Sequence, residues 1–112
     1  MEVTGTRDGD VVVCVLKGRL DASTSPEVDT NLKNLLGGDA KYLLGDLAQL
    51  DYISSAGLRI LLMRAKELSG RGGKLVLYSL KPEVRQVFDI AGFSKIIPIF
   101  DGKEKALAGL GL

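Results

Sequence analysis

Apolar positions along the chain form short runs rich in β-branched residues, which is the pattern of buried strands. Including a weakly alternating segment at residues 2–7, five strands are predicted, at residues 2–7, 11–16, 41–47, 74–78 and 96–99. The first two flank an Asp-Gly-Asp turn and therefore predict a hairpin. Because Pro98 has no amide to donate to a ladder, the last run is predicted to be an edge strand.

Between these runs, apolar residues recur at the three- and four-residue spacing of a helix face. Four helices are predicted, at about residues 26–36, 55–69, 82–91 and 103–110. Candidate caps at residues 23–25 precede the first helix, and Gly37, Gly70 and Gly92 mark the ends of the first three. Residues 51–55 are predicted to be a loop that leads into the second helix.

The predicted elements follow the order ββαβαβαβα, without a linker or an internal repeat. Strands that alternate with helices pair in parallel through right-handed crossovers, and the first hairpin adds an antiparallel edge. The prediction is a single α/β domain over residues 1–112, with a mixed sheet and about four helices. In such sheets functional groups gather beyond the carboxyl ends of parallel strands. Asp21, Asp46 and the pair Ser54 and Ser55 are therefore expected to converge there.

Composition narrows the range of functions. A chain of 112 residues with a formal net charge of +1 has no pronounced basic character, so no nucleic acid partner is predicted. No apolar stretch approaches the ~20 residues of a membrane span and no secretory leader pattern is present, so no membrane association is predicted. The single cysteine, Cys14, lies in an apolar run, which fits an unreactive buried thiol in a cytoplasmic protein.

The chain contains no histidine. Nucleophile pairs of the Ser-His or Cys-His type and His-ligated zinc sites therefore cannot form within it. The phosphate-binding patterns GxxxxGK[ST] and GxGxxG do not occur, and the glycines at residues 70–73 follow a predicted helix and end it. The prediction is a protein that is not an enzyme and has no cofactor and no metal site.

The stretch Asp-Tyr-Ile-Ser-Ser-Ala-Gly-Leu, residues 51–58, carries the most functional information. Serine is a favoured N-cap, so a purely structural role accounts for the serines on spacing alone. A serine at a helix start is also accessible to a kinase, and a phosphate there would meet free amides and the positive end of the helix dipole. Phosphorylation would then add charge to the surface and leave the fold intact.

Several segments resemble the STAS domain, the fold of bacterial anti-sigma factor antagonists. They are Gly-Arg-Leu-Asp at residues 18–21, Leu-Gly-Asp-Leu at residues 44–47, residues 51–58, and more weakly residues 72–77 and 91–97. The resemblance covers essentially the whole chain. It implies a protein that binds an anti-sigma factor, itself a serine kinase, and thereby frees a sigma factor. The kinase would phosphorylate Ser55, two residues before the glycine of the motif, to end the binding, and a metal-dependent serine phosphatase would reset the switch.

The resemblance also implies a partner-binding surface around the serines. Its implied residues are Asp21, Asp46, Ser54, Ser55, Ala56, Gly57 and Arg59. Ser54 stands where many family members have Asp, which makes it the alternative phosphate acceptor. Asp21 and Asp46 also fit turn and strand-end roles, and Arg59 also fits a solvated helix face.

Other residues of the second predicted helix have a simpler interpretation. Arg64, Lys66 and Arg71 are predicted to form a solvated helix face, because they fall largely off its apolar side.

Two other functions fit the same sequence. One is a constitutive scaffold of this fold, as a subunit of a signalling or lipid-transport complex that is not phosphorylated. The other is a nucleotide- or anion-binding module that uses the helix start as its anion site.

Overall fold

The computed structural model describes the whole chain, residues 1–112, as one sheet with four helices. The strands are β1 (Glu2–Asp8), β2 (Val11–Leu20), β3 (Tyr42–Asp46), β4 (Leu50–Ile53), β5 (Lys74–Tyr78) and β6 (Ile99–Phe100). The helices are α1 (Ser25–Leu36), α2 (Ser55–Gly70), α3 (Pro82–Ala91) and α4 (Lys103–Gly109). The predicted α/β class, the mixed sheet and the four helices are confirmed.

The sheet has the order β1-β2-β3-β5-β6, and only the β1–β2 hairpin is antiparallel. In this register Val15 of β2 lies opposite Asp46 of β3, and Asp46 lies opposite Tyr78 of β5. Because paired residues point to the same side of a sheet, these three side chains share one face.

The two faces of the sheet are covered unequally. The helices α1, α2 and α3 pack on one face, over a core that includes Leu16, Leu43 and Phe88. The other face carries a smaller cluster, in which Ala106 of α4 packs on Tyr78. The position of a residue along its strand therefore decides whether it faces three helices or one.

The prediction of a loop at residues 51–55 is wrong, because the chain forms the strand β4 there. β4 pairs in parallel with Gly18–Leu20, the last residues of a β2 strand that runs beyond its predicted end. Leu50 and Ile53 are buried while the two residues between them are exposed, so the segment has no two-residue alternation of its own. The extended end of β2 supplies the pairing that makes it a strand.

The last strand also begins later than predicted. Gly92 ends α3 in the left-handed conformation, with φ 78°, and a 3₁₀ turn, Phe93–Lys95, follows it. The carbonyl of Pro98 accepts a hydrogen bond from the amide of Leu77 at 3.0 Å. Pairing of β6 with β5 is then limited to Ile99–Phe100.

The prediction of a solvated face is wrong for Arg64 of α2 and for Arg71, the residue that follows α2. Arg64 is only 5% exposed, with Nε 3.3 Å from Oδ1 of Asp29 in α1 and a hydrogen bond of 3.1 Å to Glu67. Arg71 is partly buried and donates a hydrogen bond of 2.9 Å to the carbonyl of Gly37, just beyond α1. Besides Glu67 of α2, each guanidinium group has a partner on α1 or just beyond its end, a segment that lies far away along the chain.

Candidate functional site

Ser54 is the N-cap of α2. Its backbone is extended, with φ −101° and ψ 175°, and its hydroxyl accepts a hydrogen bond from the amide of Gly57 at 3.5 Å. Its own amide donates to the carbonyl of Leu20 at 2.9 Å, which ties the helix start to the end of β2. The structural role expected of a serine at this helix start therefore falls on Ser54.

Ser55 is the first residue of α2, at the position that the sequence predicts, and its side chain is exposed. No side-chain hydrogen bond holds its hydroxyl, whereas the hydroxyl of Ser54 is engaged in the cap. The two adjacent serines therefore have different environments. Phosphorylation of Ser55 remains a prediction.

Gly57 lies where the first turn of α2 meets the end of β2. A Cβ at this position would lie 2.7 Å from Cγ of Leu20 and 2.9 Å from Cγ1 of Ile53, which is closer than carbon atoms pack. Glycine therefore allows the helix start to rest directly on the strand ends. Ala56 is partly buried beside it, and Arg59 is exposed one turn further along.

Asp21 lies just beyond β2, next to the residue that receives the amide of Ser54. Its carboxylate accepts hydrogen bonds from the Ser23 hydroxyl at 2.7 Å and from the amides of Ser23 and Thr24 at 3.0 and 3.2 Å. The bond from the Ser23 hydroxyl, followed by those from the backbone, lowers the pKa of Asp21 below its ordinary value. Asp21 therefore orders the turn into α1 and also places a negative charge close to the serine pair.

Asp46 does not converge with the serines, so that expectation is wrong. Asp46 pairs with Val15 of β2, whereas Ile53, the residue before Ser54, pairs with Leu20. Val15 and Leu20 lie about 16 Å apart along β2, so Asp46 and the serine pair lie at different levels of the sheet. Asp46 also shares a face with Tyr78, on the side that α4 covers, while α2 packs on the opposite side. Along the chain, β4 lies between Asp46 and the serine pair.

The structure adds four side chains to the site residues predicted from the sequence. The guanidinium carbon of Arg19 lies 4.3 Å from the centre of the Tyr52 ring, as in a cation–π pair. Lys81 donates a hydrogen bond to Asp51, and this bond and its positive charge lower the pKa of that carboxyl. Arg19 and Lys81 come from segments remote from β4, so no local pattern identifies them.

These features define a class of protein: a small α/β domain with a free serine hydroxyl at an exposed helix start. None of the four surface cavities is lined by Ser54 or Ser55. No cluster of three or more His, Cys, Asp or Glu side chains is placed to hold a metal ion. No helix combines the length and the apolar character needed to cross a bilayer.

The chain belongs to the STAS domain family, whose model matches residues 3–106. It is 41% identical over 101 residues to BtrV of Bordetella bronchiseptica, a candidate anti-sigma factor antagonist, and the match covers 90% of this chain and 86% of BtrV. It is 30% identical over 101 residues to the anti-sigma F factor antagonist of Paenibacillus polymyxa, with 89% and 86% covered. The resemblance seen in the sequence is confirmed.

Solved structures show the same fold. The anti-sigma factor antagonist SpoIIAA in its unphosphorylated form superposes with a TM-score of 0.82 at 21% identity, over 99% of this chain and 98% of SpoIIAA. The phosphorylated form of SpoIIAA, from Bacillus, superposes with a TM-score of 0.74, over 96% and 97% of the two chains. At this level of identity the comparison establishes the architecture.

Proposed function

We propose that this chain is an anti-sigma factor antagonist whose unphosphorylated form binds an anti-sigma factor with serine kinase activity and so frees a sigma factor. Phosphorylation of Ser55 ends the binding, and a metal-dependent serine phosphatase restores it. The relatives that carry the name anti-sigma factor antagonist support the first statement. The existence of SpoIIAA, a protein of the same fold, in phosphorylated and unphosphorylated forms supports the second.

The observation that carries the proposal is the difference between the two serines. Ser54 uses its hydroxyl to cap α2, whereas the hydroxyl of Ser55 is exposed and unbonded. A kinase can therefore transfer a phosphoryl group to Ser55 without unmaking the cap. This difference makes Ser55, and not Ser54, the proposed acceptor.

The position of Ser55 also explains why a phosphate there acts on binding and not on folding. At the first residue of α2 the phosphate meets free backbone amides and the positive end of the helix dipole, an interaction of about 0.3–1 kcal/mol that favours the folded state. The same phosphate adds nearly two negative charges beside Asp21. An interface formed by Asp21, Ser55 and Arg59 then changes its charge while its shape is kept.

The proposal is tested with the purified chain, a kinase-type anti-sigma factor from the same organism, and ATP. We expect one phosphate per chain, located on Ser55 by mass spectrometry, and a complex that forms only with the unmodified protein. Ser55→Ala should bind as wild type does and resist phosphorylation. Ser55→Asp should bind about 100-fold more weakly, because a like charge at an interface costs several kcal/mol.

Ser54→Ala provides the matched control, since it removes the neighbouring hydroxyl and should still accept the phosphate on Ser55. Phosphate found on Ser54 in the Ser55→Ala variant would reassign the acceptor. If Ser55→Asp and the phosphorylated protein bound the partner as tightly as the unmodified chain, the switch would be excluded and a constitutive scaffold favoured.

A further inference from the structure

Arg59 is an exposed cation of α2 for which the unmodified protein provides no partner. None of the nine ion pairs of the chain includes it. Its neighbours at helical spacing are the uncharged Ala56, Leu62 and Met63, and Ser55 one turn before it. Ser55 is therefore the helix neighbour of Arg59 whose hydroxyl can acquire a negative charge by phosphorylation.

The spacing from Ser55 to Arg59 is one at which this chain forms ion pairs. Three pairs join an acidic residue to a basic residue four positions later, with nitrogen–oxygen distances of 3.4, 3.4 and 3.2 Å. They are Asp29–Lys33, Glu67–Arg71 and Asp101–Lys105. The order with the acid first is the favourable one on a helix, because a long side chain leans toward the preceding turn. A phosphate on Ser55 would take the position of the acid, with Arg59 as its base.

Two other cations of this surface already have contacts. The guanidinium of Arg19 lies over the ring of Tyr52 at 4.3 Å, with its Nε 3.9 Å from Oδ2 of Asp21. Lys81 donates a hydrogen bond to Asp51. A phosphate could recruit either cation only by breaking these contacts, whereas Arg59 has no contact to lose.

We propose that the guanidinium of Arg59 pairs with the phosphate when Ser55 is phosphorylated. This inference rests on the proposed function, because it takes Ser55 as the acceptor. A guanidinium can donate two parallel hydrogen bonds to phosphate oxygens, which makes arginine well suited to this contact. The unmodified chain offers a free cation to a partner, and the phosphorylated chain does not. Phosphorylation thereby changes the partner surface at two residues at once.

The test uses the full-length protein with phosphoserine incorporated at residue 55 during translation, so that no kinase is needed. Phosphorus NMR follows the second ionisation of the phosphate, and a nearby cation lowers the pKa of this step because it favours the dianion. We expect the titration midpoint to lie about 0.2–0.4 pH units lower in the wild-type protein than in Arg59→Gln. The Nε–H resonance of Arg59 should shift on phosphorylation and return after the phosphate is removed.

Lys66→Gln provides the matched control. It removes the same charge from an exposed position of the same helix, eleven residues beyond Ser55, or about 16 Å along the helix axis. It should leave the midpoint within about 0.1 pH units of wild type. Arg59→Lys keeps the charge but loses the paired donors, so it should restore part of the shift.

Two results would overturn the proposal. One is an equal midpoint for the wild-type protein and Arg59→Gln. The other is a midpoint that moves in Arg19→Gln and not in Arg59→Gln, which would assign the phosphate to Arg19. Because the phosphoserine is incorporated directly, failure of the pairing is distinguishable from failure of the switch, which the kinase and binding assays decide.

Discussion

The hydroxyl of Ser54 accepts a hydrogen bond from the amide of Gly57 at 3.5 Å, so the cap of α2 and the exposed serine at its start are different residues. Stability and regulation are thereby divided between neighbouring side chains. A substitution of Ser54 is expected to change stability, and a substitution of Ser55 is expected to change regulation.

Replacement of Ser54 by Ala should destabilise the protein, because it leaves an amide of the first turn without its cap. We expect a loss of about 0.5–1 kcal/mol in the free energy of unfolding, at the low end for an N-cap because the bond is long. Ser55→Ala should stay within about 0.5 kcal/mol of wild type. Urea denaturation of the two variants compares them directly, and equal losses would contradict the assignment of the cap.

Gly57→Ala should destabilise the protein by about 1–3 kcal/mol, because the added methyl group overlaps Leu20 and Ile53. Gly70, the last residue of the same helix, provides the control, since a Cβ there meets no atom within 4 Å. Gly70→Ala should be neutral or should stabilise by about 0.4–1 kcal/mol. Thermal unfolding compares the two variants, and equal shifts of the unfolding midpoint would contradict the predicted overlap at Gly57.

The ion pair between Arg64 and Asp29 should be needed to hold α1 on α2. Arg64→Met leaves the carboxylate of Asp29 without its nearest partner, and we expect a loss of about 2–3 kcal/mol. Arg59→Met, on the exposed side of the same helix, should change stability by less than about 0.5 kcal/mol. In a double-mutant cycle with Asp29→Leu, a coupling energy near zero would show that the two charges do not stabilise each other.

The free energy of unfolding should fall at alkaline pH, because the thiol of Cys14 is buried in the folded state. Burial, and to a lesser degree the charge of Asp46, raises the pKa of Cys14 from 9.0 to about 12, so the folded state holds the proton more tightly than the unfolded state does. The contribution of the thiol is complete below pH 9 and is lost as the pH rises toward 12, at up to about 1.4 kcal/mol per pH unit. Tyr78, whose pKa is raised to about 12 mainly by burial, adds to the same decline above pH 10.

The variant Cys14→Val isolates the contribution of the thiol. Its free energy of unfolding should decline less steeply between pH 9 and 12 than that of wild type. The native thiol should also react with iodoacetamide far more slowly than in denaturant, because it is buried and protonated. Rapid labelling of the native protein at neutral pH would contradict its burial.

Most of the secondary structure is already specified locally. The apolar run at residues 11–16, the two-residue turn of the first hairpin and the glycine that ends α3 each act within a few residues of chain. The start of α2 at Ser55 is of the same kind, because a cap and its amide lie three residues apart. Such signals are readable from the sequence because the interacting groups are near neighbours along it.

Three features depended on partners that are distant along the chain. β4 is a strand because the end of β2 is there to pair with it, and Arg64 is buried because Asp29 of α1 meets it. The position of Asp46 depends on strand register, which sets both the face to which a side chain points and its distance from the serines. The sequence by itself determined the α/β elements and the exposed serine at a helix start. Tertiary structure alone decided which charged groups contact one another, because strand pairing and helix packing join residues that no local pattern relates.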